Sequence, residues 1–123
     1  MATHSFIGKQ QPNGKIIGVY CHWDGYPEGV GKTLKMHYTD PAKADSLIEL
    51  GAISYLSPEI GEKHDFNNPS PGWTVAYHRD RGESFKQIAF KNSNELKVEC
   101  SIRCHAEFAY VMGKSGKWRT YKL

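Results

Sequence analysis

The sequence predicts one α+β domain over residues 1–123: an antiparallel sheet built from N- and C-terminal β-hairpins, with two or three helices packed on one face. Three observations lead to this prediction. β-like runs joined by glycine turns lie near both ends of the chain, and two segments between them carry apolar residues at helical spacing. At 123 residues, the chain is long enough for one core and too short for two.

The first predicted elements are a hairpin and a helix. The runs SFIGKQ and KIIGVYCHW flank Asn13-Gly14, the pair that best tolerates positive φ in a two-residue hairpin turn. The segment VGKTLKMHY follows and predicts an amphipathic helix that ends before Pro41. Its apolar stripe consists of Val30, Leu34, His37 and Tyr38.

The segment DPAKADSLIELG predicts a second helix. Asp40 is a typical N-cap, Pro41 suits the first helical position, and Gly51 ends the pattern. The stripe that should face the sheet is Ala44, Leu47 and Ile48.

The following stretch, YLSPEIGEKHDFNNPSPG, predicts a long irregular loop, because Pro, Gly and Asn are dense in it. Loops of this length inside a small domain are often functional. The run WTVAYH indicates a short strand that leaves the loop.

The segment NSNELKVECSIRCHAEFAYVMG fits either a strand or a helix by periodicity. A possible capping box from Asn92 to Glu95 favours a helix over 94–104, with Leu96, Cys100 and Cys104 on one stripe. The closing run predicts a hairpin with Ser115-Gly116 in its turn.

Composition narrows the class of protein. Charged residues make up 24% and hydrophobic residues 39%, which is ordinary globular usage. The net charge of +3 suits a phosphate-bearing ligand but is small for a protein that binds duplex nucleic acid. No window approaches the roughly 20 apolar residues of a membrane span, and no signal peptide is visible, so we expect a cytoplasmic protein without a membrane partner. Three cysteines, an odd number, indicate reduced thiols.

The letters GVGKT match the end of a phosphate loop, which would indicate a nucleotide triphosphatase. That loop needs a glycine five positions before Gly31, where this chain has Tyr26, and Pro27 removes one of the backbone donors. The alternative is that Gly29 and Gly31 only loosen the entry to a helix whose exposed face carries Lys32.

Thiols and imidazoles in CH at 21–22 and CSIRCH at 100–105 would suffice for a tetrahedral zinc site if the two segments met. The spacing is not that of a zinc knuckle, and neighbouring Cys21 and His22 on a strand point to opposite faces. Free cysteines are commonly buried in ordinary cores, so we predict no metal site.

The stretch HWDGYP predicts a binding site at one strand end. Strand alternation places Tyr20 and His22 on one face, and Asp24-Gly25 turns the chain so that Tyr26 leaves the sheet edge. Aromatic rings, an imidazole and a carboxylate therefore gather there: Tyr20, His22, Trp23, Asp24 and Tyr26.

The stretch YHRDRGE could complete that site. Arg79 and Arg81 carry the guanidinium fork that suits bidentate phosphate contact, and Asp80 or Glu83 could accept from ribose hydroxyls. The alternative is that these charges pair with one another in a solvated turn, and that Trp23 and Tyr26 are core residues. The residues alone leave both interpretations open.

The segments YCHWDGYP, VGKTL, HYTDPAKADSLIELGAISYLS and VAYHRDRGE, with the closing FAYVMGKSGKW, cover most of the chain. On them the sequence resembles a widespread family of small, mostly uncharacterised phage- and prophage-encoded proteins, and its opening MATHSFIG is similar to the short Ser-rich start of such proteins. The segment CSIRCH departs from the family pattern. The resemblance implies a phage accessory protein that acts in the host cytoplasm, and it supplies no reaction.

Small phage proteins include inhibitors of host immunity that sequester cyclic-nucleotide or ADP-ribose-type signals. By analogy with that setting, we expect an anti-defence protein that binds such a ligand without turnover and without a cofactor. A closed pocket forms most easily between copies of so small a chain, so we expect a homodimer or larger homo-oligomer.

The expected roles follow from side-chain chemistry. One of Tyr20, Trp23 and Tyr26 stacks on a base, and Asp24 or Glu83 binds ribose hydroxyls. The phosphates are held by four basic side chains, Arg79, Arg81, Lys32 and His22. Two alternatives remain: a phosphodiesterase in which His22 and His78 act as acid and base, and an inhibitor that binds a host protein through exposed aromatic residues.

Overall fold

The computed structural model describes residues 2–123, so Met1 of the predicted domain lies outside the description. Within these residues, four α-helices pack on one mixed sheet of seven strands. The strands are β1 (Ser5–Gln10), β2 (Ile16–Cys21), β3 (Ile53–Tyr55), β4 (Val75–Ala76), β5 (Ile88–Phe90), β6 (Phe108–Met112) and β7 (Trp118–Lys122). The helices are α1 (Lys32–His37), α2 (Pro41–Ile48), α3 (Tyr77–Arg81) and α4 (Ser93–Cys104), and a π-helical turn at Pro27–Gly31 precedes α1.

The strand order is β4-β3-β2-β1-β6-β7, and β5 also pairs with β2. β1 and β2 form one antiparallel hairpin and β6 and β7 form another, while β1 and β6 pair in parallel. The α+β class is thereby confirmed, but the sheet is mixed and not purely antiparallel. The reason is a pair of helical connections: α1 and α2 lie between β2 and β3, which pair in parallel, and α4 leads from β5 to β6, which pairs in parallel with β1.

The sheet has an apolar core on both faces. On one face, which we call the α1/α2 face, Ile7, Val19 and Tyr110 pack against these two helices. On the opposite face, the α4 face, Phe6 and Val111 pack against Leu96, Cys100 and Cys104 of α4. The prediction that all helices lie on one face is therefore wrong. β1, β2 and β6 carry buried apolar side chains at both odd and even positions, so both faces need a cover.

The helix α4 covers only part of its face. Its helical run ends at Cys104, and His105 follows in the left-handed conformation with φ 55°. Ser5 pairs with Cys21, and alternation places His4, Tyr20 and His22 on the α4 face beyond the end of the helix. This uncovered strip holds the candidate site.

The predicted second helix is confirmed as α2, because the Asp40 carboxylate accepts a hydrogen bond from the backbone N–H of Ala42 at 2.9 Å. The predicted first helix is confirmed as α1, with Leu34 fully buried. His37, however, is exposed and does not belong to the apolar stripe. It is the last residue of α1, and the backbone leaves the helical conformation at Tyr38 (φ −125°, ψ 45°).

The helix α4 confirms the prediction over 94–104, and the Asn92 side chain caps it by accepting from the Glu95 N–H at 2.9 Å. Both hairpins are confirmed as well, with Gly14 and Gly116 at positive φ. The N-terminal loop is longer than two residues, since the backbone N–H of Gln11 donates to the carbonyl of Lys15. No helix within residues 2–123 has the length and apolar content needed to cross a membrane.

Candidate functional site

Two neighbouring cavities lie at and beside the strip that α4 leaves uncovered. The larger, of about 680 Å³, lies between His4, Tyr20 and Tyr77 on the sheet side and the 83–88 segment and the end of α4 on the other, and we call it the basic cavity. The smaller, of about 590 Å³, lies between Trp23 and the 66–73 loop, and we call it the aromatic cavity. The Tyr77 ring of the first packs 5.5 Å from the Phe66 ring of the second, so the two cavities share a wall.

A hydrogen-bonded group of two imidazoles and one phenol borders the basic cavity, and His4 and Tyr20 of this group line it. The Tyr20 hydroxyl lies 2.9 Å from His4 Nδ1 and 2.7 Å from His22 Nδ1, and the two imidazole centroids are 4.7 Å apart. His4 Nδ1 also lies 3.0 Å from the backbone carbonyl of His22. Strand pairing creates this group, because the alignment of Ser5 with Cys21 sets His4 beside His22.

The carbonyl of His22 determines where the protons lie. A carbonyl can only accept, so His4 Nδ1 must carry the proton that it donates to the His22 oxygen. We infer that the Tyr20 hydroxyl donates to His22 Nδ1, which leaves His22 as the neutral tautomer protonated on Nε2. The opposite direction would set two acceptors, His4 Nδ1 and the His22 carbonyl, 3.0 Å apart.

Burial, like this hydrogen bonding, favours the neutral forms of Tyr20 and His22. It raises the pKa of Tyr20 to about 12, so the phenol keeps its proton near neutral pH. Burial, followed by the charge of His4, lowers the pKa of His22 below its ordinary value. Both groups are thus neutral in the fold at pH 7.

The rest of the basic cavity is positively charged and aromatic. Lys86 and Arg103 line it, together with the ring of Phe85, which is 48% exposed. Arg103 is held in place because Nη1 donates to the Ala89 carbonyl at 3.0 Å and its guanidinium lies 4.7 Å from the centre of the Phe90 ring. A planar ligand with negative charge would find both a stacking surface and cations here.

Arg79 is a structural residue in this fold. Its Nε donates to Asp80, and its Nη atoms donate to Asp80 and to the carbonyls of Ile60, Gly61 and Thr74. Together these bonds tie the long loop to α3 and leave the Arg79 donors engaged within the chain.

Asp80, the partner of Arg79, is an ion in a buried position. Its carboxylate accepts from the backbone N–H groups of His64 at 3.1 Å and Ala76 at 2.8 Å. Burial alone would raise the pKa of Asp80, but the hydrogen bond from Arg79, followed by those from Ala76 and His64, lowers it below its ordinary value. The network stabilises the loop that lines the aromatic cavity.

Arg81 and His78 also find partners inside the chain. The Arg81 guanidinium lies 4.1 Å from the centre of the Phe66 ring and pairs with the Glu83 carboxylate. His78 Nδ1 lies 2.7 Å from the Glu83 carbonyl, and its ring packs against Phe85. These contacts agree with the alternative that the sequence left open, in which the charged side chains of YHRDRGE pair with one another.

The aromatic cavity takes its shape from the HWDGYP turn. Asp24 adopts the left-handed conformation with φ 55°, and the Gly25 N–H donates to the Thr3 carbonyl at 2.8 Å. The Tyr110 hydroxyl donates to the Gly25 carbonyl at 2.7 Å from below. This turn presents Trp23, 45% exposed, at the rim, so the alternative in which Trp23 is a core residue does not apply.

The structure therefore divides the predicted site residues. Tyr20 and Glu83 line the basic cavity, and Trp23 and Asp24 line the aromatic cavity. His22 lies between the cavities, with its ring in edge contact with Trp23 at 4.8 Å. The remaining predicted residues line neither cavity: Tyr26, Lys32, His78, Arg79 and Arg81.

Sequence reasoning missed most of the groups that line the basic cavity, among them His4, Tyr77, Phe85, Lys86, Arg103 and His105. His4 could have been found from the register of the predicted hairpin. Arg103 and His105 could not, because no local pattern shows that the end of α4 returns to the strip.

Glycines of the GVGKT segment and the cysteines of the two Cys-His segments have structural roles in this fold. A Cβ at Gly29 would lie 2.3 Å from the Asp24 carbonyl, so this glycine permits a close approach of two backbone segments. Cys21 lies on the α1/α2 face, where burial raises its pKa to about 12, while Cys100 and Cys104 lie on the α4 face. Within residues 2–123, no three His, Cys, Asp or Glu side chains are grouped so as to hold a metal ion.

Comparisons with protein-family models, curated proteins and solved structures find no match to this chain. The resemblance to phage-encoded proteins thus stays a prediction.

Proposed function

We propose that the basic cavity binds a nucleotide-derived ligand and holds it without turnover. The observation that carries this proposal is the pairing of aromatic rings with positive charge in one cavity of about 680 Å³. Small-molecule sites are commonly cavities of this size with a few polar groups at fixed positions.

Each part of a nucleotide has a matching group in this cavity. Phe85 and Tyr77 supply rings on which a base can stack, and Lys86 and Arg103 supply cations for phosphates. Glu83 pairs with Arg81 through Oε2 and offers its other oxygen, Oε1, to ribose hydroxyls. Arg79 and Arg81 leave the proposed ligand set, because their guanidinium groups are engaged within the chain.

The setting of this activity comes from the sequence resemblance. A phage accessory protein in the host cytoplasm benefits from removing a cyclic-nucleotide or ADP-ribose-type immune signal. Binding alone achieves this if the complex is tight, and a second copy of the chain over the open side of the cavity would exclude water from the ligand.

Titration calorimetry against cyclic dinucleotides and ADP-ribose derivatives tests the proposal, with chromatographic recovery of the ligand. We expect binding and return of the intact ligand.

Phe85→Ala and Arg103→Gln should each weaken binding by about tenfold or more, since stacking and charged hydrogen bonds contribute about 1–3 kcal/mol each. Lys114→Gln, in the exposed β6–β7 turn, is the matched control and should leave affinity unchanged. Absence of heat with all of these ligands would contradict the proposal.

A second candidate function, hydrolysis of a phosphodiester in the bound ligand, is favoured by the His4–Tyr20–His22 group. Unprotonated His4 Nε2 would take a proton from water as its oxygen attacks phosphorus, and His22 Nε2–H would protonate the oxygen whose P–O bond breaks. His22 stays neutral in this step because the Tyr20 hydroxyl passes its proton to His22 Nδ1 and receives the Nδ1 proton of His4. The same chromatography distinguishes the candidates, because hydrolysis yields altered nucleotide and sequestration returns the original.

A further inference from the structure

We infer that the aromatic cavity is a second binding site, for a small organic cation that carries an alkylammonium or guanidinium group. This inference is independent of the nucleotide proposal, because it concerns a different cavity of opposite electrostatic character. Three features of the cavity support it: its charge, the arrangement of its rings and the state of its carboxylate.

The charge of the lining selects a cation. Twelve residues line the cavity, and Asp24 is the only one among them with a charged side chain. The basic cavity on the other side of the Phe66–Tyr77 wall has Lys86 and Arg103. The Arg81 guanidinium, which stacks 4.1 Å from the centre of the Phe66 ring, is already paired with the Glu83 carboxylate. An anion in the aromatic cavity would therefore face the Asp24 carboxylate, whereas a cation would be attracted.

Four aromatic side chains surround the cavity: Trp23, Tyr55, Phe66 and Trp73. The face of an aromatic ring carries partial negative charge and attracts ammonium and guanidinium groups. A pocket made of several such rings is the arrangement that proteins use for alkylated ammonium ions.

The rings are held in place before any ligand arrives. The Trp73 indole lies so close to Gly61 that a Cβ there would be 2.4 Å from the ring, and His64 packs against it at 5.5 Å. His22 contacts Trp23 edge-on at 4.8 Å. Because these contacts hold the two indole rings, little of their conformational entropy is lost when a ligand binds between them.

The carboxylate of Asp24 is largely free to bind a ligand. Within residues 2–123 it accepts one hydrogen bond, from the Tyr26 hydroxyl at 3.3 Å. The nearby imidazole of His22 accepts from Tyr20 and is neutral, so it does not compensate the Asp24 charge. A bound cation would add the missing partner.

Choline and its uncharged carbon isostere, 3,3-dimethylbutan-1-ol, test the inference because they differ in charge and share shape. Binding is followed by titration calorimetry and by tryptophan fluorescence, since two of the three tryptophans line the cavity. We expect choline to bind more tightly than the isostere by about fivefold or more.

Two variants locate the site. Asp24→Asn removes the charge and should keep the turn, because asparagine tolerates the left-handed conformation of this residue. It should weaken choline binding by about tenfold without changing the affinity for the isostere. Trp23→Leu should weaken the binding of choline as well. Glu28→Gln, an exposed carboxylate outside the cavity, is the matched control and should bind choline like the parent.

Equal affinity for choline and the isostere would overturn the inference, as would unchanged choline binding in Asp24→Asn. Circular dichroism of each variant confirms that it is folded, and if Trp23→Leu fails to fold, Asp24→Asn alone decides. Nucleotide binding provides a separate readout. Asp24→Asn should leave it unchanged, so the failure of one proposal does not affect the other.

Discussion

At the scale of single residues, Asp80 shows how a buried charge can fix a loop. Its side chain has no exposed surface, and Arg79 and two backbone N–H groups bind it. We expect Asp80→Asn to lower the free energy of unfolding by about 3 kcal/mol, because it leaves the Arg79 guanidinium buried without its counter-charge. Urea denaturation followed by circular dichroism measures the change.

Asp45→Asn is the matched control for Asp80→Asn. Asp45 pairs with Lys9 at 2.8 Å, but its side chain is half exposed, so we expect a loss below about 1 kcal/mol. Equal losses in the two variants would contradict the assignment of a structural role to the Asp80 network.

The pH dependence of stability provides a further prediction for Asp80. The pKa of Asp80 is lowered in the fold, so its stabilising contribution is complete above the ordinary aspartate pKa of about 4 and is lost as the pH falls through the lower folded value. We expect Asp80→Asn to remove this part of the acid-induced loss in urea denaturation series. If the free energy of unfolding fell equally with decreasing pH in the parent and in Asp80→Asn, this role of Asp80 would be contradicted.

His22 provides a prediction about protonation. We expect nitrogen NMR at pH 7.5 to show a proton on Nε2 and none on Nδ1, because Tyr20 donates to Nδ1. Tyr20→Phe should abolish this preference. His4→Gln should raise the pKa of His22 only in part, since burial is the larger cause of its lowering. A protonated Nδ1 in the parent would contradict the proposed proton arrangement.

The residue types in the sequence indicated the region of the site correctly but identified only some of the residues that line it. Tyr20 and His22 share a strand face, as alternation predicts, and Asp24 turns the chain. The role of Arg79 was beyond sequence reasoning, because a guanidinium that binds phosphate and one that binds backbone carbonyls look the same until the fold places the carbonyls.

At the scale of elements, the close approach of β1 and β2 depends on Gly18. A Cβ at this position would lie 2.3 Å from the Ile7 carbonyl and 2.5 Å from the Phe6 ring. We expect Gly18→Ala to destabilise the protein by about 1–3 kcal/mol through overpacking. Thermal unfolding measures it, with Gly113→Ala as control, since the nearest atom there is 3.8 Å away. Similar melting temperatures for the two variants would contradict this packing.

The helices that are marked by capping residues in the sequence were predicted correctly, whereas the short elements that lack such residues were not. Caps such as Asp40 and Asn92 are read from neighbouring residues, so α2 and α4 were found. The strand predicted from WTVAYH is only Val75–Ala76, and the helix α3 follows at once. Short elements such as β4 and α3 are set by tertiary contacts, here the Asp80 network, and a local pattern does not contain them.

At the scale of the whole molecule, the incomplete cover of α4 leaves room for the basic cavity, which the end of this helix lines. The parallel pairing of β1 with β6 brings the chain back along the strip, so that the 103–105 segment lines the basic cavity beside His4. Sequence reasoning assigned two hairpins and the helix between them, but the order in which strands meet depends on contacts far apart in the chain.

The outer side of α4 leads to a prediction about assembly. Val98 and Ile102, four residues apart and on one helix face, are 70% and 72% exposed, and Arg103 of the basic cavity follows directly. Apolar side chains so exposed on an otherwise polar helix indicate a contact surface. We therefore expect the protein to form a homodimer through this helix, with the second copy beside the basic cavity that Arg103 lines.

Replacing both residues tests the dimer, because Val98→Glu with Ile102→Glu keeps a good helix former at each position while placing like charges in the interface. Light scattering after size exclusion should show a dimer for the parent and a monomer for the double variant, and nucleotide binding should weaken together with the loss of the dimer. Met36→Glu is the matched control, since Met36 is 60% exposed on α1, a helix on the opposite face of the sheet. A monomeric parent at high concentration, or a double variant that stays dimeric, would contradict a dimer formed through α4.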